Sequence, residues 1–244
     1  MYSKASVLPD DAKPKGITES QANDAIESFK RDFGNVDGVE FKIYANQEEA
    51  FKDGGSIKGR VKGFYKPKSR IIGLIRSSID SMQDATETLR HETLCHFGLN
   101  LLKPTDKIAF LGSIAKSKDN ILLRKMFADV ARDYPEMGND EFKQAEEVFA
   151  RVAEEKPSAL TEWLDKQTLK LLGLFRNSGR LKGVVTKADM RAMVKSLAEG
   201  VRRGDKQQTF PKDNQSQFNK SSGYKALPPH AMILLNVRVR RVAA

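Results

Sequence analysis

One cysteine, one tryptophan and three histidines are all that 244 residues offer of three chemically pointed side chains. A single cysteine excludes an intrachain disulfide framework. No apolar run approaches the roughly 18 residues a membrane-crossing helix needs, so no membrane partner is expected. The first residues, Met1-Tyr2-Ser3-Lys4-Ala5, contain no apolar stretch of the kind a secretory signal carries, and a cytoplasmic setting is expected. Acidic charge is also in short supply, with 32 Asp/Glu against 42 Lys/Arg and a net +10. The imbalance is local. From Val201 onward nine Lys/Arg face only Asp205 and Asp213, so +7 of the +10 belongs to that end. The rest is nearly balanced, and its charge says little about what it binds.

Two of the three histidines stand together in Thr88-Leu89-Arg90-His91-Glu92-Thr93-Leu94-Cys95-His96-Phe97-Gly98-Leu99. The pattern is H-E-x-x-x-H. In the shorter H-E-x-x-H the histidines are four apart, roughly 40° around a helix of 3.6 residues per turn. Both imidazoles then reach one zinc, with a glutamate beside them to handle a water. Five apart, they diverge by about 140° on a regular helix, and no ion can be shared. A π-bulge takes up the extra residue and restores the geometry, so a bulge is predicted between Thr93 and His96. Cys95 inside it is read as a small buried hydrophobe.

Around this motif the chain reads as strands first and helices afterwards. Residues 1–17 form a flexible leader. Thr18 and Gln21 make a capping box for a helix to Phe33, with Ala22, Ala25, Ile26 and Phe29 on one face. Alternation at Val39, Phe41 and Ile43 gives a half-buried strand. A short helix or turn covers Gln47 to Asp53. Strands at 61–65 and 70–75 flank the Lys66-Pro67-Lys68-Ser69 turn, the second too apolar for a solvated edge. Ser77 or Ser78 caps a buried helix carrying the motif to Leu102, and Pro104 ends it. Helices follow at 106–117, 119–133, 140–155, 158–176 and 186–203. Residues 205–244 read as a basic, disordered tail, leaving one domain over 18–204. The fold class is α+β.

The motif resembles the zincin-like metallopeptidase domain of large polyvalent proteins of phages and mobile elements. His91, Glu92, His96, Phe97, Gly98 and Leu99 match its H-E-x-x-G-H-[YF]-G-L, with Cys95 in place of the usual glycine. Locally it is also similar to the dipeptidyl-peptidase group with an H-E-x-x-G-H motif. The resemblance implies a zincin-like fold, a small N-terminal sheet on a central metal-binding helix followed by a helical half. It also implies Zn²⁺ on His91 and His96, Glu92 as catalytic base, and hydrolysis of a peptide or protein substrate inside a bacterial cell. Catalytic zinc usually takes a third protein ligand. Ala145-Glu146-Glu147-Val148-Phe149-Ala150 resembles the E-E-x-x-A helix of both families, which favours Glu147. The helical wheel favours Glu146 instead, since Phe142, Ala145, Phe149 and Val152 mark a core face almost opposite Glu147. Asp84 is a candidate to orient an imidazole, and Tyr65, Arg90 and Tyr134 are candidate donors to an oxyanion. The alternative is a binding module whose basic tail engages nucleic acid or an acidic partner.

Overall fold

Strand β4, Ile71–Ile75, is buried along most of its length, and that burial sets the sheet. The computed structural model describes residues 2–4, 16–52, 59–177 and 184–206. β3, Val61–Lys66, pairs antiparallel with β4 across the tight turn, and β2, Glu40–Tyr44, pairs parallel on its other side. β1, Tyr2–Lys4, adds antiparallel to β3, giving the order β1-β3-β4-β2. The expected leader is therefore corrected in part: Tyr2–Lys4 is a strand, because the free edge of β3 offers unpaired backbone groups, while residues 5–15 lie outside the described residues.

Nine helices complete the described residues: α1 (Glu19–Phe33), α2 (Gln47–Ala50), α3 (Met82–Arg90), α4 (Gly98–Asn100), α5 (Pro104–Lys116), α6 (Ile121–Asp133), α7 (Glu141–Glu154), α8 (Ala159–Asn177) and α9 (Lys187–Arg203). The class is α+β, as expected. The Thr18–Gln21 capping box forms in both directions, and Ala22, Ala25, Ile26 and Phe29 are the buried face of α1. Two helix ends differ from expectation. Ser81, not Ser77 or Ser78, caps α3 by accepting from the Asp84 amide. Pro104 opens α5 rather than only closing the previous helix, because a first-turn proline loses no intrahelical bond.

Between α3 and α4 the chain winds as a π-helix over His91–Phe97. It packs against α7, α9 and β3, and every residue in it is buried. Tyr65 meets the Phe97 ring edge-on at 5.7 Å, so the aromatic that follows His96 ties the motif to the sheet. Among the described residues no helix is long and apolar enough to cross a membrane. The expected basic tail beyond Lys206 lies outside the described residues.

Candidate metal centre

The bulge expected from the five-residue spacing is present, and it extends over the whole of His91–Phe97. Bonding from i to i+5 widens the turn and brings the two imidazoles to the same side. Their Nε2 atoms lie 3.1 Å apart. Cys95 fits the π-turn without strain on its side chain. Its Sγ faces the Glu146 carbonyl at 3.6 Å, and burial pushes the thiol well above its usual range. It is a buried core side chain outside the His91-Glu92-His96 donor group.

Glu147 closes the site. One of its oxygens lies 3.5 Å from His91 Nε2 and the other 3.5 Å from His96 Nε2. Its side chain is 0% exposed, and neither oxygen has a hydrogen-bond partner. The helical-wheel argument against it fails for a physical reason. α7 lies among the π-turn, α3, α5, α6 and α9, so both sides of it are interior, and Ala145 to Ala150 are buried without a break. Glu92 is also 0% exposed, and one donor atom each from His91, Glu92 and His96 lie within 4.8 Å of one another.

Each histidine is held from behind by a carboxylate that the motif did not reveal. His96 Nδ1 is 2.9 Å from Glu146 Oε1, which is itself 3.4 Å from Lys107 Nζ. His91 Nδ1 is 2.6 Å from Glu154 Oε1. With each Nδ1 held by a carboxylate behind it, both Nε2 atoms point toward each other and toward Glu147. Asp84, the sequence candidate for this orienting role, is elsewhere. It accepts from Lys62 at 2.6 Å and from the Asp80 amide. Arg90, a candidate oxyanion donor, instead clamps the end of α7 through the Ala153 and Glu155 carbonyls. Tyr65 faces Phe97, and Tyr134 lines a cleft of about 530 Å³ on the Glu154 side of the site.

The electrostatics ask for a cation. Four carboxylates, Glu92, Glu146, Glu147 and Glu154, surround two imidazoles. Burial works against a charged His91, but the Glu154 hydrogen bond and the charges of Glu147, Glu154 and Glu92 outweigh it and push its pKa up to about 9. Burial raises Glu147 above the usual carboxylate range. Glu146 goes the other way: burial opposes its charge, yet Lys107 and His96 hold it well below that range. The dimensions suit an ion as well. Ligands roughly 2.0–2.1 Å from a tetrahedral zinc stand about 3.3 Å apart, close to the 3.1 and 3.5 Å separations found here. The buried His91-Glu92-His96 group can therefore hold a metal ion, and a Glu147 oxygen lies 3.5 Å from each Nε2.

No protein-family model and no solved structure matches the chain. It is similar to the DNA primase TraC of Escherichia coli, 26% identical over 211 residues. The match takes in 82% of this chain and 14% of that protein, so the chain spans well under a fifth of its relative's length. That similarity overturns the peptide-bond hydrolase and the phage assignment expected from the motif, and leaves a peptide substrate without support: the relative is named a DNA primase.

Proposed function

We propose that the chain is a divalent-metal module of an enzyme that acts on DNA in priming. Its ion is held by His91, His96 and Glu147 on a zincin-like scaffold. The observation that carries the metal reading is the buried Glu147 carboxylate, aimed at two inward Nε2 atoms and bonded to nothing. A buried polar group without a hydrogen bond is costly, and a cation satisfies both the carboxylate and the facing imidazole nitrogens. Two imidazoles and a carboxylate in a closed site are the donor set of zinc, which when bound acts as a Lewis acid. Glu146 and Glu154 orient the imidazoles. Glu92, beside the ligands, is placed to take and hold a proton at its carboxylate.

The DNA reading rests on the similarity to a primase over 82% of the chain and on the net charge of +10. The priming activity is proposed for the enzyme to which such a module contributes. Nucleic acid is the proposed partner, reached through basic residues toward the C-terminal end. Fluorescence anisotropy of a labelled single-stranded oligonucleotide with the full chain tests this. Binding is expected, with log K falling linearly with log salt. Absence of binding at low salt removes the DNA half of the proposal. Titration with zinc against a chromophoric chelator should show one equivalent bound.

A further inference from the structure

The two carboxylates behind the histidines differ in their exposure. Glu146 is sealed: its side chain is 8% exposed and sits under Lys107 Nζ at 3.2 Å. Glu154 is 36% exposed and lines the 530 Å³ cleft together with Lys62, Asp84, Thr88 and Tyr134. The ligand side chains themselves are 0–2% exposed, so an ion has no open path to them as they stand. Glu154 is the last residue of α7. Arg90 pins the backbone on either side of it, at the Ala153 and Glu155 carbonyls. The Glu154 side chain can swing into the cleft while its backbone stays in place.

Building on the metal reading above, we infer that Glu154 is both the positioning residue of His91 and the gate of the metal centre. Bonded to His91 Nδ1, it holds Nε2 inward and closes the site. Rotated into the cleft, it frees the His91 ring to tip, and the ion passes between the site and the cleft. His96, anchored through Glu146 to Lys107, stays fixed. A residue that only positions a ligand affects how long the ion stays. A gate also limits how fast it arrives.

The test uses the full chain, with zinc association and release followed by stopped-flow against a chromophoric chelator, and Co²⁺ substitution read by visible absorption. Glu154→Ala should release zinc at least about tenfold faster, within the 10–100-fold loss typical of removed orienting partners. It should also take zinc up faster than wild type and shift the Co²⁺ bands. Glu154→Gln keeps an oxygen that accepts the Nδ1–H bond, and should restore the wild-type spectrum. Faster release with unchanged uptake would overturn the gate, and unchanged rates and spectrum would overturn the whole inference. A wild-type chain that binds neither ion would instead overturn the metal reading itself.

Discussion

Replacing Glu147 with glutamine should act in opposite directions with and without metal. The Glu147 oxygens are buried without a hydrogen bond, 3.5 Å from the Nε2 atoms of His91 and His96. A glutamine of the same shape turns one of those oxygens into an NH2 that can donate to the facing nitrogen. Relief of an unsatisfied buried group is worth about 1–3 kcal/mol. For a folded body of this size, roughly 2–4 °C of Tm accompanies each kcal/mol, so Glu147→Gln should raise Tm in chelator by about 2–12 °C. With zinc at about a thousand times its dissociation constant the wild type gains about 4.1 kcal/mol, or roughly 8–16 °C. The variant, lacking the anionic ligand, should gain little. The stability order therefore inverts between chelator and zinc. Differential scanning fluorimetry of both proteins in both buffers reads it directly. A variant less stable than wild type in chelator, or an equal zinc shift in both, would refute the reasoning.

Two further predictions concern the scaffold. The buried Asp133 carboxylate accepts from Arg132 at 2.9 Å and Arg151 at 2.7 Å. Burial opposes its charge, but those two bonds outweigh it and lower its pKa. Its stabilisation is present above the unfolded carboxylate pKa of about 3.9 and is lost as pH falls through the lower folded value. Asp133→Asn should cost about 1–3 kcal/mol at pH 7 and flatten the acid limb below about pH 4; equal urea midpoints at pH 7 would count against it. A Cβ on Gly73 would lie 2.3 Å from Phe64 Cζ, and that ring is fully buried between Tyr44 and Phe51. Gly73→Ala should destabilise by at least about 1–3 kcal/mol through overpacking, and an unchanged Tm would show the ring has room to move.

Local chemistry made much of this molecule legible. The capping box at Thr18, the apolar run of β4 and the helix starting after Thr186 all follow from near neighbours, and all are present. The π-turn was readable too, because histidines five positions apart diverge on a regular helix and a bulge brings them together. What failed was non-local. Glu146 and Glu154 face the histidines across some fifty to sixty residues of chain, and no spacing rule reaches that far. The wheel misjudged Glu147 because it assumes one buried face, whereas α7 is surrounded. Asp84 looked suitable by proximity in sequence but is engaged by Lys62. Function was the least legible. The donor set says that an ion fits; it does not name the substrate, and the similarity to a DNA primase redirects that reading from peptide to nucleic acid.

The most direct test of the metal centre is the metal content of the purified full chain by elemental mass spectrometry, after zinc reconstitution and gel filtration. Wild type should carry about one zinc per chain, and His96→Ala and Glu147→Ala should carry essentially none. Glu92→Gln should retain it, since Glu92 is assigned to proton handling and not to the ligand set. A wild-type chain that emerges without zinc, or a His96→Ala variant that keeps it, would contradict the account.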